Sequence, residues 1–188
     1  IEEARHAIKV LRKKIGDQIL VVDGFGFKYK VELENEYLKN CRLKIIKKYK
    51  DDCSSGVYIH IAIAPTKSHD RLEWFIEQSI EIGINEISFI QTINSERKKV
   101  NYERIKRYAI SAMKQSLKAK LPIINKIKTI ESFLNECENT KKFIAHLDKK
   151  NMNDLYKYVS RNSNYCVLIG PEGDFSLSEL SLAIEHGF

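Results

Sequence analysis

The sequence predicts a protein of the α/β class in two parts, a small β-rich region followed by a larger region of alternating strands and helices. Period-two alternation of polar and apolar residues, with an Asp-Gly turn, marks the first fifty residues as β-rich. The nearly continuous apolar run from Tyr58 to Ala64 is typical of a strand buried on both faces of a parallel sheet. Apolar strands and amphipathic helices then alternate, as in α/β domains with a parallel sheet.

The first region is predicted to contain one helix and three strands. Its helix ends at Gly16, because the apolar residues before that glycine recur at helical spacing. These residues are Ala7, Ile8, Leu11 and Ile15. The strands are expected at residues 19–22, 25–33 and 43–46. So many strands in a short span suggest a small barrel. The polar stretch 47–56 then predicts a boundary between domains 1–55 and 56–188.

The second region is predicted to continue with helices and strands after its first strand. The expected helices cover residues 72–82, 102–120, 130–134 and 152–159, and the expected strands cover residues 86–90, 143–147 and 165–169. Gly83 is the predicted C-cap of the first of these helices, and Pro122 is expected to stop the long second one. Trp74, in the first helix, is expected to be a packing residue.

The composition and charge narrow the class of protein. The 188 residues include 32 Lys and Arg against 25 Asp and Glu, which gives a formal net charge of +7. With 43% hydrophobic residues the chain can bury a core, so a wholly disordered protein is excluded. No apolar run reaches the roughly 18 residues that a membrane helix requires. The basic excess favours a polyanionic partner such as nucleic acid.

The cysteines and the N-terminal residues predict a cytosolic protein without a metal site. Cys41, Cys53, Cys137 and Cys166 make no pair at zinc spacing, so we expect reduced thiols. No secretory signal is expected, because the chain opens with the acidic and amphipathic residues 1–6.

The strongest local motif is the loop Gly170–Ser176, between a predicted buried strand and a predicted helix. Ligands of open α/β sheets bind at the carboxyl ends of the strands, and glycines let backbone amides approach a ligand closely. The spacing is neither that of a dinucleotide-binding loop nor that of a P-loop. The motif is explained equally well by a tight turn in which the glycines are needed only for the backbone conformation. Ser176 and Glu179 predict a capping box for the following helix.

A basic stripe is predicted on one face of the helix 102–120, opposite an apolar stripe. Its members are Arg104, Arg107, Lys114 and Lys118. Such a stripe can bind phosphates, and it can equally be a solvated face.

Polar residues also follow the first two strands of the second region. They are Lys67, His69, Asp70 and Arg71 after the first strand, and Ser95, Glu96 and Arg97 after the second. We expect a basic rim there, although surface solvation alone would explain any single residue. His60 is expected to be a packed core histidine, whereas His146 ends a predicted strand, where a site could reach it.

Several blocks of residues, taken in order, resemble one known family. The blocks are His6 with Val10–Arg12 and Gly16–Asp17, Lys67 with Asp70–Arg71 and Glu81–Ile84, Ser95–Arg97, Ala112 with Gln115–Ser116 and Leu121–Pro122, and Gly170–Gly173 with Phe175–Ser176. They are similar to the bacterial ribosomal RNA small subunit methyltransferase E family of the SPOUT (trefoil-knotted) superfamily. The resemblance spans nearly the whole chain.

The resemblance implies a PUA-like RNA-binding β-barrel followed by a SPOUT α/β-knot methyltransferase domain. The implied activity is methylation of a uridine at N3 in 16S ribosomal RNA, with S-adenosylmethionine as methyl donor and no metal. The implied partners are the small ribosomal subunit and a second copy of the chain. Arg97 and Glu172 are the implied catalytic residues. The implied donor-binding residues are His146, Leu147, Leu168, Ile169, Gly170, Pro171, Glu172 and Gly173. The implied RNA-binding residues are Arg12, Lys67 and Arg97, to which the basic rim and the helix stripe add Arg71, Arg107, Lys114 and Lys118 as candidates.

The sequence departs from the family pattern in two ways. Asp174 stands where a glycine is common, and the family continues beyond the position of Phe188 into a strand, a loop and a helix that close the knot. We therefore expect the knot segment to be absent from this chain. Two other functions remain open at this point: a non-catalytic RNA-binding protein of the same fold, and a SPOUT methyltransferase that acts on another RNA.

Overall fold

A three-stranded antiparallel sheet forms the centre of the N-terminal part of the chain in the computed structural model, which describes residues 2–51, 56–147 and 155–188. Strands β1 (Gln18–Val22), β2 (Phe27–Leu33) and β3 (Leu43–Lys50) lie in the order β1-β2-β3. At the turn between β1 and β2, Asp23 Oδ1 accepts hydrogen bonds from the backbone N–H of Phe25 at 2.7 Å and of Phe27 at 3.1 Å. The Asp-Gly turn predicted from the sequence is therefore confirmed.

Two predictions for this part are wrong in extent. The opening helix consists of α1 (Glu2–Arg5) and a π-helical turn (His6–Val10), and it stops before Ile15. Arg12 has a φ of +53°, a left-handed conformation that ends a right-handed helix. The stretch 47–50, predicted to be part of a linker, continues β3, because its residues pair with the first residues of β2.

The chain divides into two compact units. The first contains Ile1–Asp52 and the short stretch Leu117–Lys120, and the second contains Cys53–Ser116 and Leu121–Phe188. Within the first unit, the backbone N–H of Ala119 donates to Asp51 Oδ2 at 2.9 Å, and Lys28 Nζ lies 3.1 Å from Asp51 Oδ1. The predicted division at residue 55 falls outside the described residues and stays a prediction.

A six-stranded parallel sheet organises the second unit. Its strands are β4 (Tyr58–Ile63), β5 (Glu86–Gln91), β6 (Ile123–Ile124), β7 (Lys128–Thr129), β8 (Lys141–Ala145) and β9 (Asn164–Ile169). They lie in the order β6-β5-β4-β9-β8. Strand β7 also pairs with β5, at Ile90 and Gln91, whereas β6 pairs with Glu86 and Ile87. The central strand β4 is buried from His60 onwards, as its continuous apolar sequence predicts.

In the part of this unit that the structure describes, four α-helices cover the sheet: α2 (His69–Ile82), α3 (Tyr102–Gln115), α4 (Ile130–Glu136) and α5 (Leu177–Glu185). Each begins after a Ser, Asn or Thr whose side-chain oxygen accepts a hydrogen bond from a backbone N–H of the first turn. Gly83 ends α2 with a φ of +103°, which confirms the predicted C-cap. A 3₁₀-helix at Leu155–Tyr158 stands in place of the predicted helix 152–159, of which residues 152–154 lie outside the described residues.

The structure corrects two further predictions in the second unit. Helix α3 ends at Gln115 rather than at residue 120, because Leu117 adopts a φ of +54° and residues 117–120 belong to the first unit. Trp74 is 64% exposed and is not a packing residue, since Leu72, Ile76 and Ile80 form the buried stripe of α2.

His60 is a core histidine, as predicted. Its side chain is buried on β4, and Nε2 lies 2.8 Å from Ser88 Oγ on the neighbouring strand. Burial lowers the pKa of His60, which favours the neutral ring at physiological pH. Among the described residues, no helix has the length and apolar character needed to cross a membrane.

Candidate active site at the carboxyl edge of the parallel sheet

Four loops meet at the carboxyl edge of the sheet, because the strands before them are parallel neighbours. They are the residues after β4, β5, β8 and β9, and β4 lies between β5 and β9. This edge is where ligands bind in open α/β sheets. The topology therefore brings together the loop 170–176 and the polar residues that the sequence places after β4 and β5.

Lys67 connects the loops after β4, β5 and β9. Its backbone N–H donates to Glu172 Oε1 at 3.1 Å, and its carbonyl oxygen accepts a hydrogen bond from the Arg97 guanidinium. Its Nζ lies 2.8 Å from Glu96 Oε2. The structure thus places Lys67, Arg97 and Glu172 together, as the sequence predicts for a site at this edge.

The charge of Glu172 is stabilised by its hydrogen bonds. Its own backbone N–H and that of Lys67 hold the pKa of this carboxyl group below its ordinary value. Glu172 is therefore an anion at neutral pH, suited to holding the Lys67 backbone in place. A carboxylate with a lowered pKa is a weaker proton acceptor, so this environment does not favour a general base.

Asp174 ties the loop after β9 to the end of β8. Its Oδ2 lies 2.7 Å from His146 Nδ1, and its Oδ1 accepts the backbone N–H of Phe175 at 2.8 Å. Burial raises the pKa of Asp174, but these hydrogen bonds outweigh that effect and the pKa lies below its ordinary value. Asp174 has a φ of +59°, a conformation that glycine adopts at low cost and that aspartate tolerates. The departure from the family's glycine is therefore compatible with the loop conformation.

Asn94 fastens the same loop to the loop after β5. Its Nδ2 donates to the carbonyl oxygens of Gly173 at 3.1 Å and of Asp174 at 3.0 Å. A Cβ at position 173 would lie 3.3 Å from Asn94 Cβ, so the glycine allows this close approach. The sequence did not single out Asn94, since its partners are about 80 residues away along the chain.

Helix α5 begins at the end of this loop and contacts β5's loop through Glu179. Ser176 and Glu179 form the predicted capping box, and the backbone N–H of Ile93 donates to Glu179 Oε1 at 2.8 Å. Glu179 is 5% exposed. The buried carboxylate of Glu179 thus binds both the start of α5 and the backbone of Ile93 in the loop after β5.

The predicted donor-binding residues differ in what they can offer a ligand. Leu168 lies in the hydrophobic core, so only its backbone could contact a ligand, and Pro171 is also buried. His146, Glu172 and Gly173 are exposed, and Leu147 is 93% exposed. Gly170 packs against Phe175, whose Cε2 would lie 3.0 Å from a Cβ at that position. Ile169 ends β9 and is half-buried.

The predicted RNA-binding residues do not all belong to one unit. Lys67 and Arg97 are at the site itself, Arg71 lies in the first turn of α2, and Arg107 and Lys114 are exposed on α3. The other two, Arg12 and Lys118, belong to the first unit. Lys118 is therefore not part of the α3 stripe, because the helix ends before it. Arg104 in that stripe is paired with Glu73 of α2.

Within the described residues, a cavity of about 350 Å³ adjoins the site, and no sequence pattern predicted it. It lies between the end of β5, the start of α4 and the first turns of α5, and is lined by residues such as Ile93, Ile130 and Leu182. The structure shows Cys41, Cys137 and Cys166 as free thiols, while Cys53 lies outside the described residues. In the part of the chain that the structure describes, no group of three metal-binding side chains is assembled.

The molecule is thus an α/β protein of two units, one built on a small antiparallel sheet and the other on a parallel sheet with a polar site at its carboxyl edge, where such proteins bind ligands. Family models identify it further: an RNA methyltransferase domain matches residues 54–188 and an RNA methyltransferase PUA domain matches residues 2–46. The chain belongs to this RNA methyltransferase family. The fold class inferred from the resemblance is thereby confirmed.

Curated relatives and solved structures agree with this assignment. The chain is 28% identical over 96% of its length to the ribosomal RNA small subunit methyltransferase E of Rickettsia conorii, and 23% identical over 98% of its length to the enzyme of that name from Bacillus subtilis. It spans 74% and 77% of those two proteins.

Two solved structures have the same fold over the whole chain. A "probable rRNA-methyltransferase" from Porphyromonas gingivalis matches with a TM-score of 0.91 and 36% identity, and the match covers 80% of that protein. A methyltransferase from Legionella pneumophila, solved with bound S-adenosylmethionine, matches with a TM-score of 0.87 and 25% identity over 78% of that protein.

Proposed function

We propose that this chain transfers a methyl group from S-adenosylmethionine to N3 of a uridine in 16S ribosomal RNA of the small ribosomal subunit. The relatives named above as small subunit methyltransferases, and the relative solved with S-adenosylmethionine, support the substrate and the donor. The observation that carries the proposal is the junction of three loops at the carboxyl edge, where Lys67 contacts both Arg97 and Glu172.

The donor site is proposed at the loops after β8 and β9. His146, Leu147, Leu168, Ile169, Gly170, Pro171, Glu172 and Gly173 would line it, the buried ones through their backbone. The side chains there suit this ligand, because the carboxylates of Glu172 and Asp174 provide negative charge near a cationic sulfonium and amino group. When bound, S-adenosylmethionine supplies the electrophilic methyl group.

Arg97 is the proposed electrostatic catalyst. The N3–H of uracil is weakly acidic, and a fixed cation beside the ring favours loss of this proton to water and so the anion whose N3 would attack the methyl group as the methyl–sulfur bond breaks. The guanidinium is held by a backbone carbonyl, so it need not reorganise during the reaction. Glu172 contributes by fixing Lys67, and much of the rate is expected to come from positioning the two substrates.

The RNA would be bound by basic side chains of both units: Arg12, Lys67, Arg71, Arg97, Arg107, Lys114 and Lys118. Arg97 would face the target base, and the others would contact the phosphate backbone and so contribute affinity without base specificity. The proposal includes a homodimer, as the family resemblance implies, and a place of action in the cytoplasm, where ribosomes are modified.

The experiment combines calorimetry with methyl transfer. The protein should bind S-adenosylmethionine, and it should transfer a labelled methyl group to unmodified 16S RNA or small subunits but not to transfer RNA. Absence of heat with S-adenosylmethionine would leave a non-catalytic RNA-binding protein. Label in transfer RNA alone would assign the chain to another RNA.

A further inference from the structure

His69 contacts the guanidinium of Arg97 at the edge of the site. It is the first residue of α2, and it lies across the loop junction from Arg97, 28 residues further along the chain. Arg97 Nη1 lies 2.7 Å from His69 Nδ1 and 3.2 Å from Nε2. Nη2 of the same guanidinium donates to the carbonyl oxygen of Lys67.

These contacts determine what each group does. An arginine can only donate, so a ring nitrogen of the imidazole is the acceptor in this contact. The second acceptor, a backbone carbonyl, is fixed by the loop after β4. Because Nη1 donates to His69 and Nη2 donates to the Lys67 carbonyl, the two hydrogen bonds fix the plane of the guanidinium as well as its position. A guanidinium carries five N–H donors, which is more than these two acceptors use.

We propose that His69 is a positioning residue that orients Arg97 toward the target base. The inference rests on the function proposed above, because it assigns to His69 a role in the methylation of RNA. Without His69, the guanidinium would keep one acceptor and could rotate about it. It would remain charged and close to the site, but its remaining donors would no longer meet the uracil oxygens in a fixed plane.

The test compares His69→Ala with His69→Asn, whose side-chain oxygen can accept a hydrogen bond near the position of Nδ1. We expect His69→Ala to lower kcat for methyl transfer to 16S RNA by about 10- to 100-fold, the loss typical of a misaligned catalytic group. The affinity for S-adenosylmethionine and the melting temperature should hardly change. His69→Asn should recover most of the lost activity. Glu77→Ala, two turns further along α2, is the control and should behave as the wild type.

A double-mutant cycle shows whether His69 acts through Arg97. If it does, His69→Ala should cost little in a protein that already carries Arg97→Ala. If the losses in kcat from His69→Ala and Arg97→Ala simply multiply in the double variant, the inference is wrong. It is also wrong if His69→Asn is as inactive as His69→Ala.

The failure of the proposed function gives a different result from the failure of this inference. If the wild type transfers no methyl group to any RNA, the proposed function fails. The wild type, His69→Ala, Arg97→Ala and the double variant are then compared by their affinity for 16S RNA. Non-additive losses of affinity would then support the coupling, and additive losses would exclude it. If the wild type is active and His69→Ala is equally active, only the role of His69 is wrong.

Discussion

The contact between Asp174 and His146 shows how a single residue changes the loop that it belongs to. The carboxylate oxygen and the imidazole nitrogen lie 2.7 Å apart. A glycine at position 174 would adopt the same backbone conformation but would leave His146 without this partner. The end of β8 is therefore attached to the loop after β9 in this chain by a side chain that glycine lacks.

Asp174 should make the stability of the protein depend on pH in acid. Its pKa in the folded state lies below the ordinary value of 3.8. The carboxylate therefore contributes stability that is fully present above about pH 4 and is lost as the pH falls through the folded pKa. We expect Asp174→Asn to be less stable than the wild type at pH 7, with a difference that shrinks toward pH 3.

Urea unfolding at pH 7, 5 and 3 measures this difference. Asp70→Asn, at an exposed acid in the first turn of α2, is the control. A constant difference between wild type and Asp174→Asn over the whole range would show that the carboxylate charge of Asp174 does not stabilise the fold.

Gly173 should tolerate little added volume. A Cβ there would lie 3.3 Å from that of Asn94, and the two γ-carbons of valine would press further against this side chain. We expect Gly173→Val to displace Asn94 from its two hydrogen bonds to the loop, at a cost of about 1–3 kcal/mol typical of overpacking.

Calorimetry with S-adenosylmethionine reports the consequence for the donor site. Gly173→Val should lose about tenfold or more in affinity, while Gly173→Ala, with the smaller group, should lose less. Unchanged affinity in the valine variant would remove this loop from the donor site.

At the scale of elements, helix α3 presents basic residues that are proposed to contact the phosphates of the RNA. Arg107 and Lys114 are both exposed on it, Lys114 in its last turn and Arg107 about two turns before its end. If both contact phosphates, replacing them with alanine should weaken binding of 16S RNA and reduce the slope of log affinity against log salt by about 0.7–0.9 per contact.

Filter binding between low and physiological salt measures that slope. Lys157→Ala, in the 3₁₀-helix Leu155–Tyr158, is the matched control and should leave the slope unchanged. An unaltered slope in the Arg107 and Lys114 variant would identify the stripe as a solvated face.

The start of α5 is stabilised by its capping box. Ser176→Ala removes the acceptor for the backbone N–H of Glu179 and should lower the free energy of unfolding by about 1 kcal/mol. Ser181→Ala, an exposed position of the same helix, should change it by only a few tenths of a kcal/mol. Equal effects of both substitutions in chemical unfolding would show that the cap does not determine the stability of this end.

The secondary structure was predictable where a local pattern determines it. The continuous apolar runs of β4 and β9, the glycine after α2 and the Ser–Glu pair at α5 each act over a few residues. The ends of the opening helix and of α3 were not predictable. They depend on left-handed conformations of Arg12 and Leu117, residue types that carry no signal for such a turn.

The site was predictable in its position and not in its contacts. Parallel strands bring their carboxyl ends together, so Lys67, Arg97 and the loop 170–176 could be assigned to one edge. Which atoms meet depends on the order of the strands, and the order places β4 between β5 and β9. The contacts made by Asn94 and His69 therefore emerge only in the folded chain.

At the scale of the whole molecule, exposed apolar side chains on the second unit agree with the proposed homodimer. They include Trp74, Ile82, Ile93, Leu177 and Ile184, each more than 60% exposed. A contiguous patch of such side chains would mark a protein–protein interface. We expect light scattering to give a mass of about twice the 21.9 kDa of one chain. A monomer at every concentration would contradict the homodimer.

The proposed methylation of N3 of a uridine in 16S ribosomal RNA requires the site at the carboxyl edge of the parallel sheet. The most direct measurement is mass spectrometry of the nucleosides of unmodified small subunits after incubation with the protein and S-adenosylmethionine. We predict 3-methyluridine at a single position, and its near absence when Arg97→Ala replaces the wild type. A methyl group on another atom or on another nucleoside, or full activity of Arg97→Ala, would contradict the account.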